Sequence, residues 1–155
     1  MDAKDKKKGN LLVAIQFVML AAILLLPNTT EGSPFPTWVF TLGGFLIWPG
    51  LVILAVSIFK LGPSLTASPV PKDDSTLVIG GLYKYMRHPI YTGLIVTGLG
   101  LSLEAGVFPQ LLFWGGLVAL LVYKSSWEEE LLAKRYPEYA DYKARTGRFF
   151  PKLGK

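Results

Sequence analysis

Cysteine is absent from the 155 residues, histidine occurs once, and charged side chains make up only 17% of the chain, against about 25% in an average soluble domain. Without cysteine there can be no disulfide framework, no Cys-ligated zinc or iron–sulfur site, no thiol nucleophile and no prenylated C-terminus. Much metal and thiol chemistry is thereby excluded, and no metal site is expected. Internal repeats are missing, as is any low-complexity tract beyond a Lys-rich start. The aromatic–basic interleaving of a nucleic-acid module is also missing, so the net charge of +5 gives no reason to expect a nucleic-acid partner.

Apolar side chains are abundant, at 51%, with 16 glycines besides. Four segments stand out: Leu11 to Leu26, Trp38 to Phe59, Ile90 to Leu103, and Val107 to Tyr123. A helix rises about 1.5 Å per residue and the bilayer core is about 30 Å thick, so about 20 residues are needed to cross it. The second segment suffices; the others must use flanking residues or a locally thinned bilayer. The first follows Lys4 and Lys6 to Lys8 as a signal peptide would, yet it runs into Pro27 and Asn28 without a small-residue cleavage site, and we read it as a retained helix. The sequence thus predicts an all-α integral membrane protein, one membrane domain over residues 1–155. It has about four transmembrane helices and a cytoplasmic C-terminal helical segment.

Under four crossings, all 16 Lys and Arg residues fall on one side, in the N-terminus, the loop from Lys60 to Pro89 and the tail after Tyr123. The opposite loops carry only Glu31 and Glu104. The positive-inside rule then places both termini and the central loop in the cytoplasm. The stretch Gly62 to Ser75, rich in proline, reads as an irregular loop. Leu82 to Met86 reads as a short interfacial helix ended by Pro89, and the tail from Ser125 to Tyr142 is helical in composition, interrupted at Pro137.

Two clusters could carry chemistry. The single histidine lies in Tyr83-Lys-Tyr-Met-Arg87-His88-Pro89-Ile-Tyr91-Thr-Gly93, at the mouth of the third apolar segment, and ionisable groups at membrane depth tend to mark function. At the end of the fourth segment stands Trp127-Glu128-Glu129-Glu130, three adjacent carboxylates that need a nearby cation or a helix that continues. Alone, each has an ordinary structural reading, an interfacial anchor for the first and a solvated helix face for the second. An antiparallel pair of the third and fourth helices would bring both to one membrane face. Gly93, Thr97 and Gly100 form a small-residue stripe on the third helix, open to the close approach of the fourth helix or a ligand.

The run Gly81-x-Tyr83-x-x-x-Arg87-His88-Pro89-x-Tyr91-x-Gly93, followed by Glu128-Glu129-x-x-Leu132, Tyr139-x-x-Tyr142 and Arg148-x-x-Pro151, resembles the isoprenylcysteine carboxyl methyltransferase family and the related phospholipid methyltransferases. The resemblance implies an integral-membrane enzyme with a cofactor-binding core over residues 77–153, preceded by N-terminal helices and a loop over 1–76. It implies S-adenosylmethionine bound at the cytoplasmic side by Tyr83, His88, Pro89, Tyr91, Gly93, Glu128 and Glu129. Glu129-Glu130 is also available as the acidic pair, but Leu132 falls in place only with Glu128-Glu129.

The expected reaction is methyl transfer to a lipophilic or membrane-embedded acceptor, such as an isoprenylcysteine carboxylate or a related amphiphile, with membrane lipids around it. A carboxylate acceptor needs no base, and Arg87 or Arg148 could orient it; an amine or hydroxyl would ask His88 or Glu128 to take a proton. Two other readings remain: a sterol-type lipid reductase with a nicotinamide cofactor, whose similar segment differs at Ile90 and Leu94, and a non-catalytic membrane scaffold.

Overall fold

The computed structural model describes residues 3–28, 31–71 and 75–152. Lys72, Asp73, Asp74 and Lys155, which belong to the connector and tail as read from the sequence, lie outside these residues. Five helices follow in order: α1 (Ala3–Leu25), α2 (Thr37–Leu61), α3 (Pro89–Glu104), α4 (Phe108–Arg135) and α5 (Tyr139–Arg145). No strand occurs among the described residues; the one extended pairing is an isolated parallel bridge between Met86 and Gly147.

Proline and glycine set the boundaries. Pro36 precedes α2, and Gly62, at φ 51°, takes the positive-φ conformation that closes it. Pro89 opens α3 and keeps His88 out of the helical conformation (φ −124°, ψ 58°), so the histidine is fixed at a helix entrance. The expected interfacial helix is a single 3₁₀ turn, Gly81–Lys84.

Three helices are long and apolar enough to cross a bilayer: α1, α2 with the turn that follows it, and α4. The fourth expected crossing, α3, has 16 residues, which at 1.5 Å per residue is about 24 Å. It runs antiparallel against α2, where glycines bring the backbones together. A Cβ at Gly93 would lie 2.9 Å from Leu54 N and 3.0 Å from Gly50 O; one at Gly100 would lie 2.7 Å from Gly43 O. The stripe, expected to admit the fourth helix or a ligand, is instead filled by α2, whose own glycines allow the closer approach.

Meanwhile α1 packs on α4, and α3 packs on α4 around Ile23, Tyr91, Leu117 and Leu121. Large apolar side chains such as Phe17, Leu25, Phe45, Trp48 and Phe59 remain exposed on the outside, as lipid contact requires. With 28 residues, α4 is about 42 Å long and carries the acidic triplet on past the end of α3.

Candidate active site

The histidine segment and the tail meet as two short extended stretches. Arg87 N donates to Gly147 O at 2.9 Å and His88 N to Arg148 O at 3.0 Å, while Gly147 N returns a bond to Tyr85 O at 3.3 Å. Thr92 Oγ1 donates to Phe149 O at 2.7 Å, and Tyr142 Oη to Tyr83 O at 2.7 Å. Together these bonds hold the tail under the entrance of α3, opposite the last turns of α4.

Glu129 is the centre of this junction and is 2% exposed. Its Oε1 accepts from Arg87 Nε at 2.9 Å and Arg148 Nε at 3.2 Å and lies 3.3 Å from His88 Nε2. Its Oε2 lies 2.9 Å from Lys143 Nζ and accepts from Arg148 Nη2 at 3.3 Å. Arg87 also donates to the carbonyls of Lys143 and Thr146. Both of the needs read in the acidic triplet are met: cations surround it and the helix continues.

Glu128 is placed differently. Tyr91 Oη donates to its Oε2 at 2.8 Å, His88 Nδ1 lies 3.8 Å away, and its side chain is 26% exposed. The Tyr91 and His88 rings stack at 5.3 Å with 3° between planes. Glu130 is exposed, so the inward pair is Glu128-Glu129.

Two cavities adjoin Glu128. A mainly apolar one of about 320 Å³ is walled by Phe17, Leu20, Leu54, Ile58 and Leu94, with Gln16, His88 and Tyr91 at its polar end. It lies between α1 and α2, where Phe17 and Ile58 are themselves exposed. A narrower one of about 80 Å³ lies under the connector, lined by Ser68, Thr76, Tyr136, Tyr139 and Tyr142 among others. Tyr83, Arg87 and Glu128 line both.

The Tyr139 hydroxyl, buried in the wall of the narrower cavity, has no hydrogen-bond partner among the described residues. Burial, then the Glu129 charge, pushes this hydroxyl above the ordinary tyrosine range, against the pull of Arg87. Burial with Glu128 and Tyr142 nearby does the same for Tyr83. Both phenols stay neutral and keep their donor protons.

The structure thus brings Tyr83, Arg87, His88, Tyr91, Glu128, Glu129 and Arg148 to one end of the helices. Pro89 is buried as the first residue of α3, and Gly93 lies on the α2 interface; neither lines either of these two cavities. Arg87 and Arg148, read as acceptor-orienting cations, are both engaged by Glu129. Sequence reasoning missed Lys124, fully buried, whose Nζ donates to Gln16 Oε1 at 2.5 Å and Ala67 O at 3.0 Å and stands 5.4 Å from the Tyr91 ring centre. Gln16 was its signal, being the one polar residue in the run Leu11 to Leu26 and so in need of a partner.

These features define an all-helical integral membrane protein whose polar site is built at one end of the helices from α3, α4 and the C-terminal segment. The profile of the family described as phospholipid methyltransferase matches residues 38–139, and the chain belongs to that family. It is 32% identical to the cobalt-zinc-cadmium resistance protein CzcN of Cupriavidus metallidurans, over 91% of this chain and 62% of that protein. It is 25% identical to a probable protein-S-isoprenylcysteine O-methyltransferase of Oryza sativa (84% of this chain, 75% of that protein) and 25% identical to protein-S-isoprenylcysteine O-methyltransferase A of Arabidopsis thaliana (90% and 77%). The chain spans less than two thirds of the length of the metal-resistance relative. Among the described residues there is no group of three or more His, Cys, Asp and Glu side chains placed to hold a metal ion.

Proposed function

We propose that the protein transfers a methyl group from S-adenosylmethionine to a lipophilic acceptor at the cytoplasmic membrane interface. The observation that carries this reading is the shared wall: Tyr83, Arg87 and Glu128 stand between a small cavity that Tyr136, Tyr139 and Tyr142 also line and a larger, mainly apolar one that lies beside lipid. A donor and an acceptor of opposite polarity can each be bound on its own side and meet there.

The residues present fit the cofactor's chemistry. It carries cationic groups and hydroxyls, and among the described residues Glu128 Oε1 accepts no hydrogen bond and the buried Tyr139 hydroxyl makes none, while Tyr83 and Tyr91 add aromatic surface. Glu128, Tyr83 and Tyr139 would hold it, and when bound it supplies an electrophilic methyl on sulfur. At about 80 Å³ the smaller cavity is below the roughly 300 Å³ of ordinary ligand sites, so its wall has to give way on binding.

The chain's own contribution is alignment, the chief requirement of an in-line displacement. Glu129 holds Arg87, His88 and Arg148 in place, His88 stacks on Tyr91, and Tyr91 aims Glu128. For an acceptor that must lose a proton, Glu128 is the carboxylate within reach of both cavities. The cytoplasmic placement of the site and both termini rests on the concentration of Lys and Arg at this end.

Calorimetry on the detergent-solubilised full chain tests the reading. Heat is expected from S-adenosylmethionine, with loss of binding in Glu128→Gln. Heat from a nicotinamide dinucleotide alone would overturn it in favour of a lipid reductase, and silence from both would favour a scaffold.

A further inference from the structure

The apolar cavity has a polar group from outside the segment that the family profile covers. Gln16, on α1, is 6% exposed and lines the end of this cavity next to Ala67, Tyr91 and Glu128. An amide has an acceptor end and a donor end, and Lys124 decides which way this one points. An ammonium group can only donate. Gln16 Oε1 must therefore face Lys124 Nζ, 2.5 Å away, and that leaves Nε2 as the uncommitted end of a side chain that lines the cavity, with no hydrogen bond to it among the described residues. Lys124 cannot turn away, because Ala67 O and the Tyr91 ring hold it from two other sides.

We propose that Gln16 is a specificity-determining residue, selecting acceptors whose head group accepts a hydrogen bond from its Nε2, with Lys124 as the positioning residue that aims it. This rests on the reading of the apolar cavity as the acceptor site. Amide N–H groups surrounded by Phe17, Leu20 and Leu94 favour a carboxylate, carbonyl or phosphoryl oxygen at the head of an apolar tail. A head group with donors only, such as an ammonium, leaves Nε2 unpaired and brings a second cation close to Lys124. Discrimination in this setting comes from the unpaired group as much as from the paired one.

The test is binding of dodecanoate and dodecylamine, one tail with two heads, to the full-length protein in detergent, with melting temperature and S-adenosylmethionine binding measured on the same preparations. Wild type is expected to prefer dodecanoate by about tenfold, the size of one hydrogen bond to a charged group. Gln16→Leu would strand Lys124 and endanger folding, so the deciding variant is Gln16→Glu. It keeps an oxygen on Lys124, stays isosteric, and puts an acceptor where Nε2 was. The preference should reverse toward dodecylamine.

Phe17→Ala should weaken both amphiphiles equally. An unchanged preference in Gln16→Glu, an equal loss of both ligands in it, or no preference in wild type would overturn the assignment. Protein that binds S-adenosylmethionine without discriminating the heads overturns this inference alone. Protein that discriminates them and binds no S-adenosylmethionine overturns the methyl-transfer reading alone.

Discussion

Glu128 and Glu129 are neighbours in sequence with opposite tasks, and substitution should separate them. Glu129 accepts from or faces four cationic or imidazole side chains while 2% exposed, and its partner Arg87 is 8% exposed. Removing its charge leaves a buried guanidinium uncompensated, a loss of about 3–5 kcal/mol. Glu129→Gln is therefore expected to lower the melting temperature sharply, whereas Glu128→Gln should melt as wild type does and fail to bind cofactor, and Glu138→Gln, on the exposed turn before α5, should change neither. Equal melting of all three would contradict the placement of Glu129.

Tyr142 supplies a pH test. Burial, with Glu129 nearby and against Arg87, pushes its hydroxyl up to about 12 from 10.0. A raised acid favours the protonated folded state, so its contribution is complete below pH 10 and is lost as pH rises from there through 12. The alkaline fall in melting temperature should be shallower in Tyr142→Phe, which starts lower for want of the bond to Tyr83 O. At this scale the two motifs were legible as a site, and the Leu132 spacing chose the inward acidic pair. What the sequence could not show is that Glu129 would be used up by the chain's own cations, because Arg87, Lys143 and Arg148 reach it only through the folding back of the tail.

Among the helices, the sequence marks four apolar runs and the structure makes a helix of each, but the small-residue face of the third, expected to be open to the fourth or a ligand, in fact meets the second. Gly93 belonged by resemblance to the cofactor site, and its spacing with Thr97 and Gly100 suited a ligand as well as a helix. The structure gives the face to α2, where Gly43 and Gly50 supply the matching absence of side chains. Gly93→Ala should overpack this interface at about 1–3 kcal/mol, while Gly115→Ala on α4, which meets nothing within 4 Å, should be neutral. Thermal melting of the two variants checks this, and the folded fraction of Gly93→Ala should bind cofactor normally; equal stability of both would contradict the close α2–α3 contact. By its sequence the third run is too short to cross without flanking residues, and α3 is a 16-residue helix that starts at a buried histidine and is flanked by α2 and α4.

For the molecule as a whole, the arrangement puts every chemically active group at one end of an apolar bundle, with the tail tied beneath it and a cavity leading between α1 and α2 toward lipid. Composition announced the bundle, since a chain so rich in apolar residues and so poor in charge has few other folds open to it. The pairing of two cavities across Glu128 was not legible, because the larger depends on α1 contributing Gln16, Phe17 and Leu20 to a site whose motifs lie more than sixty residues away. The central claim is that a methyl group passes across that shared wall into the lipid phase. Its most direct test is to incubate lipid vesicles holding the full chain with methyl-labelled S-adenosylmethionine and to weigh the organic extract by mass spectrometry. Label in a lipid-soluble product made by wild type and absent with Glu128→Gln is the predicted result; label confined to the aqueous phase, or the same product from both proteins, would contradict it.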